Sequence, residues 1–154
     1  MPPTREQIVR TAIERHGRSR EALLPVLQEV ISQKKRFLSD RKLYEVARQM
    51  GIPEADVYGT ASFYSFLDIE PRGRHVIRVC KSISCYMAGK DELIAAISGK
   101  LKIELGDTTP DRRFSFLPVN CLGMCHRGPA MLVDDDIYTE VTAQQALEIL
   151  DTYA

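Results

Sequence analysis

The sequence predicts an α/β protein, with a small helical bundle followed by an α/β unit. Two observations carry that prediction. Apolar residues recur at helical spacing through roughly the first 65 positions, with a capping residue, glycine or proline at the breaks. After the turn-rich stretch EPRGRH, β-branched runs alternate with helical ones. The expected domains are 1–70 for the bundle and 71–154 for the α/β unit.

Thr4 followed by Gln7 reads as a capping box, and Ile8, Ala12 and Ile13 share a face before Gly17 stops the first helix. The second helix begins near Glu21, tolerates Pro25 early, and carries Leu23, Leu27, Val30 and Ile31 on one face. Ser39 is expected to cap a third, stapled by Leu38 and Leu43 and ended by Gly51. Pro53 opens a fourth, PEADVYGTASFYSFL. In the second half, HVIRVC is a strand running into Cys80, KDELIAAISGKL a helix after Cys85, and RFSFLPVNC a strand ending at Cys121. Pro118 hints that this last strand is an edge or a strand end. AMLV, DDD and IYTEV read as a hairpin, and Thr142 with Gln145 caps a final helix through Leu150. The expected order is β, α, β, β, β, α, with both cysteine pairs in loops at strand ends.

At 154 residues and 44% hydrophobic content, the chain can bury a core without crosslinks. Its 21 basic and 21 acidic residues cancel, which argues against a nucleic-acid footprint or an electrostatic hold on an anionic membrane. The N-terminus, MPPTREQIVRTAIERHG, lacks the unbroken apolar core of a secretory signal, and no run approaches the roughly 20 residues of a membrane span. The expected location is the cytoplasm, free or at the cytoplasmic side of a membrane complex. Paired cysteines in that reducing setting are more often metal-binding or catalytic than disulfide-bonded.

Cys80, Cys85, Cys121 and Cys125 are the four cysteines, arranged as C-x4-C and C-x3-C. The small residues Ser82, Ser84, Gly123 and Gly128 lie in or beside these stretches and let backbone amides turn toward a buried anion. Structural zinc also uses paired thiolates, usually in tighter knuckles. A [2Fe-2S] cluster is longer than one ion and takes a pair of thiolates on each iron, so the wider loops suit it. Spacing alone leaves both open. A dithiol oxidoreductase would want C-x-x-C at a helix N-terminus, which this sequence lacks.

GTASFYSFLDIEPRGRHVIRVCKSISC and LGDTTPDRRFSFLPVNCLGMCHRGPAMLVDDDIY closely resemble the thioredoxin-like [2Fe-2S] ferredoxin family. That family includes the 24 kDa subunit of NADH:quinone oxidoreductase. It also includes the small subunits of NAD-linked and electron-bifurcating hydrogenases and of NAD-dependent formate dehydrogenases. LLPVLQEVISQKKRFLSDRKLYEVARQMGIPEADVYG is similar to the family's N-terminal helices, so the resemblance spans nearly the whole chain. It implies a thioredoxin-like fold for 71–154 and one [2Fe-2S] cluster held by Cys80, Cys85, Cys121 and Cys125. It also implies a complex in which FMN and NAD(P) sit on a partner subunit beside further iron–sulfur subunits. Arg112 departs from the family, standing where a glycine often follows the aspartate, and His126 follows the last cysteine.

No G-x-G-x-x-G follows a strand and no phosphate-binding lysine loop is present, so the expected role is electron carriage without a substrate site on this chain. The alternative is a zinc-stabilised interaction module without a redox role. His16 and His75 read as isolated surface residues, His126 as a neighbour of the site, and Asp134, Asp135 and Asp136 as a solvated hairpin tip. The SFYSFL stretch fits either a partner interface or the bundle's own core.

Overall fold

Thr4 does what its spacing to Gln7 requires: its hydroxyl accepts from the Gln7 amide at 3.3 Å while Gln7 Oε1 accepts from the Thr4 amide at 2.8 Å. Helix α1 (Arg5–His16) follows and ends at Gly17, whose φ of 96° only glycine adopts freely. In this computed structural model, which describes residues 3–32 and 37–153, the chain divides into two units, Met1–Pro71 and Arg72–Ala154. The QKKR part of the N-terminal resemblance lies outside the described residues.

The first unit continues through a short turn at Arg20–Ala22, then α2 (Leu23–Ser32), α3 (Asp40–Met50) and α4 (Glu54–Phe63). Val9, Ile13, Val26, Leu27, Val30, Leu43, Val46 and Val57 form its core. Each such side chain taken from water contributes about 1.5–3 kcal/mol. Polar contacts on the rim join α1 to its neighbours: Arg15 and His16 both reach Glu29, and Arg48 reaches Glu6. His16 is therefore paired, not isolated. Two expectations shift. Ser39 occupies the N-cap of α3 but its side chain makes no capping hydrogen bond, and α4 ends at Phe63, four residues before the expected end of its run. The stretch beyond it is exposed: Phe63 at 79%, Phe66 at 49% and Tyr64 at 42%, with Leu67 alone of these apolar residues turned into the core.

The second unit is built on a four-stranded sheet in the order β2-β1-β3-β4, with β1 His75–Cys80, β2 Phe114–Val119, β3 Met131–Val133 and β4 Asp136–Tyr138. β1 and β2 are parallel, and the other pairs are antiparallel. After the short helix α5 (Ile83–Met87), helices α6 (Lys90–Leu101) and α7 (Ala143–Thr152) pack together. They cover the face that carries Ile77, Val79, Phe116, Met131 and Val133. Pro118 lies on β2, an edge strand, where a missing amide is tolerated. Gly73, in the turn before β1, is required for close approach: a Cβ there would stand 2.7 Å from the Phe114 carbonyl carbon.

The loop before β2 is folded by GDTTPDR. The Thr109 hydroxyl accepts from the amides of Phe114 and Arg113 and donates to Asp111, while Asp111 accepts from the Arg113 amide. These bonds hold the Asp111 carboxyl below the usual range, the Thr109 hydroxyl first among them. Arg112 takes a φ of 54° there, which explains why glycine suits this position.

Two side-chain expectations are corrected at the hairpin. His75 is half-buried, with its Nδ1 2.7 Å from Asp134 Oδ2. Asp134 is no solvated tip, because its other oxygen accepts from the Val76 amide at 2.9 Å and its own amide donates to the Val76 carbonyl. Asp136 belongs to β4 and accepts from the Tyr153 hydroxyl. The cross-strand contact wins over solvation because it gives the buried Val76 amide its acceptor.

Candidate metal centre

β1 delivers Cys80 at its last position, and parallel register sets Val119, the last residue of β2, beside it. Parallel strands end at the same edge of a sheet, so Cys121 leaves β2 on the side where β1 has just placed Cys80. From Cys80 the chain turns through Ser82 into a short helix, α5 (Ile83–Met87), on which Cys85 faces inward. From Cys121 it turns at Gly123, φ 80°, into a single turn of 3₁₀ helix at Cys125–Arg127. Sequence places both pairs in loops; two of the four thiols instead ride on helical turns too short to show a period in sequence.

Cys80 and Cys85 are each only 1% exposed, whereas Cys121 and Cys125 are exposed. Within the outer pair the sulfurs lie 3.6 Å apart, and the inner pair also interact directly. The 3₁₀ turn that carries Cys125 packs against α5, which carries Cys85, so the outer pair lies beside the inner one.

Each sulfur meets a donor. The Ser82 hydroxyl lies 3.1 Å from Cys80 Sγ, and the Gly123 amide donates to Cys121 Sγ at 3.2 Å. The Leu122 amide serves Cys80, the Ala130 amide Cys85, and the Ser84 hydroxyl Cys125. Burial pushes the Cys80 thiol up, but the Ser82 hydroxyl and amide, Cys85 and Leu122 together outweigh it, and the net direction is down. Burial raises Cys85, and the Ala130 amide only partly offsets it. Cys125 is raised first by its hydrogen bond with Cys121 and then by that neighbour's charge.

Gly128 closes the inner wall, where a Cβ would meet Ala88 Cβ at 3.2 Å and Cys85 Sγ at 3.5 Å. Cys80, Cys85 and Ala130, flanked by Leu122 and Met124, make a small apolar cluster of their own. His126 is exposed in the 3₁₀ turn, while His16 and Asp134 to Asp136 belong to other parts of the fold. Among the described residues no group of three or more His, Cys, Asp or Glu side chains is set to hold a single ion. The thiols meet instead as two pairs.

An α/β sheet that ends two strands at one edge and presents four thiols there in two pairs has the ligand chemistry of a protein that carries a thiolate-bound cofactor, and makes this edge the candidate site. The chain belongs to the thioredoxin-like [2Fe-2S] ferredoxin family, whose model matches residues 9–154. The family's cofactor is a [2Fe-2S] cluster, and the donor set fits it: paired soft ligands, amides and hydroxyls turned to sulfur, and a glycine where a side chain would intrude. A subunit of the NADH-quinone oxidoreductase of Escherichia coli (strain K12) is 39% identical over 125 residues, covering 81% of this chain and 75% of that one. NADH-quinone oxidoreductase subunit 2 of Thermus thermophilus is 37% identical over 131 residues, or 85% of this chain and 72% of that one. Among solved structures, an NAD+-reducing [NiFe]-hydrogenase in the H2-reduced state superposes with a TM-score of 0.74 at 24% identity. It covers 88% of this chain, which spans only 22% of that one, so this likeness speaks for the fold alone.

The donors are the part that sequence reasoning misses. Ser82 and Ser84 are visible there only as small residues, and the amides of Leu122 and Ala130 carry no side-chain signal at all.

Proposed function

We propose that Cys80, Cys85, Cys121 and Cys125 hold one [2Fe-2S] cluster, the inner pair on one iron and the outer pair on the other. On this reading the chain is the electron-transfer subunit of an NAD(P)H-linked oxidoreductase complex, with a helical domain over 1–70 and the cluster-bearing domain over 71–154. The observation that carries it is the pairing of four thiols, each met by an amide or hydroxyl donor, in a chain of this family.

When bound, the cluster supplies one-electron chemistry. A hydride carries two electrons, so a flavin on a partner subunit that also binds NAD(P) must divide them. The residues of this chain do the rest. Hydrogen bonds from Ser82, Ser84, Gly123, Leu122 and Ala130 stabilise negative charge on sulfur. Burial of Cys80 and Cys85 keeps water from the inner half, and exposure of Cys121 and Cys125 leaves the outer half open to an electron partner. The exposed Phe63, Tyr64 and Phe66 supply apolar surface for the same kind of assembly. No helix among the described residues is long and apolar enough to cross a membrane, and the proposed place is the cytoplasm or the cytoplasmic side of a membrane complex. The similarity to NADH-quinone oxidoreductase subunits favours a quinone-reducing complex over a hydrogenase or formate dehydrogenase.

Anaerobic purification with iron and sulfide analysis, visible absorption, and low-temperature EPR before and after dithionite tests this. Two irons, two sulfides and an EPR signal on one-electron reduction are expected. Cys121→Ser should bleach or destabilise the chromophore, and Asp135→Ala should leave its absorption unchanged. A colourless chain carrying zinc and no acid-labile sulfide would overturn the proposal and leave a structural interaction module.

A further inference from the structure

The turn into β1 and the loop into β2 meet at the end of the sheet opposite the cysteines, and both arrive with arginines. The Arg74 amide donates to the Arg112 carbonyl at 2.9 Å and the His75 amide to the Arg113 carbonyl at 2.8 Å, so the backbones of Arg74, Arg112 and Arg113 lie side by side. Arg74 and Arg112 are exposed, and among the described residues neither side chain meets a partner. Arg113 is half-buried, its guanidinium 5.2 Å from the centre of the Phe114 ring and its buried Nε without a hydrogen bond. The two acids of the loop are engaged by its own groups: Asp107 accepts from the Glu104 amide, and Asp111 from the Thr109 hydroxyl and the Arg113 amide, with the Arg113 charge acting on it as well. Arg112 holds its φ of 54° in the left-handed region, which glycine enters freely and which a Cβ makes costly. Strain kept at a residue whose side chain stands in solvent points to what that side chain does at the surface.

We propose that Arg74, Arg112 and Arg113 form a docking surface for an acidic segment of a partner protein, at the end of the sheet away from the thiols. The inference is independent of the cluster assignment above. Charge complementarity selects the occupant, because a guanidinium is a weakly hydrated fork of donors matched to a carboxylate. A second copy of this chain bound across a two-fold axis would set the same arginines against each other. The residues begin two strands spaced by about 4.8 Å, a spread that suits several carboxylates along a segment better than one compact anion. The 21 basic and 21 acidic residues of the whole chain cancel, so the attraction is local and weakens with salt.

The test is fluorescence anisotropy of a labelled hexaglutamate peptide titrated with the anaerobically purified full chain at low salt, with inorganic pyrophosphate as competitor and thermal unfolding measured on each variant. Arg112→Gly removes the charge and the strained Cβ together, so it should weaken peptide binding about two- to fivefold while raising the thermal midpoint. Arg74→Gln should weaken binding by a similar factor, and Arg10→Gln, at an exposed charge on α1, should leave it unchanged. Wild-type binding in Arg112→Gly overturns the proposal, as does an equal loss in Arg10→Gln, which would make the attraction unspecific. A lower thermal midpoint in Arg112→Gly would give Arg112 a packing role and overturns it too. Pyrophosphate binding tighter than the peptide would make a compact anion the ligand, and a dimer in sedimentation velocity that Arg112→Gly abolishes would make a second copy the occupant; either result overturns the assignment to an acidic partner.

Discussion

Gly73→Ala is the sharpest stability test of the architecture that places the cysteines. The added Cβ would stand 2.7 Å from the Phe114 carbonyl carbon, 2.9 Å from the Ser115 nitrogen and 3.0 Å from the Phe114 nitrogen. All three are backbone atoms, so no rotamer change relieves them. The start of β2 must move by several tenths of an ångström, which also strains the 2.8 Å bond from the Gly73 amide to Ser115 Oγ. Overpacking of this kind costs about 1–3 kcal/mol, and a weakened hydrogen bond about 1 kcal/mol. The expected loss is therefore about 2–4 kcal/mol, with the second unit unfolding first. Gly59→Ala is the matched control. Gly59 lies on α4 with nothing within 4 Å of its added Cβ, so alanine should stabilise the helix by about 0.5–1 kcal/mol. Urea unfolding followed by cluster absorption and by far-UV circular dichroism reads both. In Gly73→Ala the chromophore should be lost at clearly lower urea, because β1 and β2 deliver Cys80 and Cys121. An unchanged midpoint there, or a larger loss in Gly59→Ala, would refute the close-approach argument.

Ser84→Ala removes the hydroxyl that serves Cys125 and should retain the cluster while moving its midpoint to more negative potential; a shift in the positive direction would contradict the donor role. Asp134→Ala leaves the Val76 amide without its 2.9 Å acceptor and should cost about 1–3 kcal/mol in thermal unfolding. Asp134→Asn, which keeps an acceptor and suits the φ of 54°, should cost less. Glu45 is held below its ordinary value of 4.5, first by its hydrogen bond from Arg48 and then by Gln49. A carboxyl with a lowered folded-state pKa stabilises the fold above its unfolded value and loses that contribution as pH falls through the folded one. Glu45→Gln should therefore narrow the stability difference between pH 7 and acid below 4.5 seen by differential scanning calorimetry; an unaltered pH profile would exclude Glu45 as a contributor.

The elements legible in sequence are those whose signal is local. Thr4 with Gln7 and Thr142 with Gln145 form both halves of their capping boxes, and α6 spans the run KDELIAAISGKL that its apolar spacing marks. Ser39 shows the limit of such signals. It stands at an N-cap, yet makes no capping hydrogen bond, because position in sequence does not fix a side-chain rotamer. The His75–Asp134 contact joins residues 59 apart, and nothing near either residue announces it. Its partner becomes apparent only once β1 and β3 are antiparallel neighbours.

The site divides along the same line. Cysteine spacing marks four thiols in two pairs, and parallel register explains why strand ends bring them together. What turns four thiols into a graded electrostatic environment is largely backbone. The Gly123, Leu122 and Ala130 amides point at sulfur because of turns set by φ angles, and any residue type contributes the same N–H. Glycine is the exception that sequence can register, since Gly123 needs its positive φ and Gly128 its missing Cβ. Arg112 makes the converse point. It holds a φ of 54° without being glycine, and the bonds of Thr109 and Asp111 to the Arg113 and Phe114 amides compensate on either side. A strained residue held by a satisfied loop keeps β2 in register with β1, and so keeps Cys121 on the same edge as Cys80.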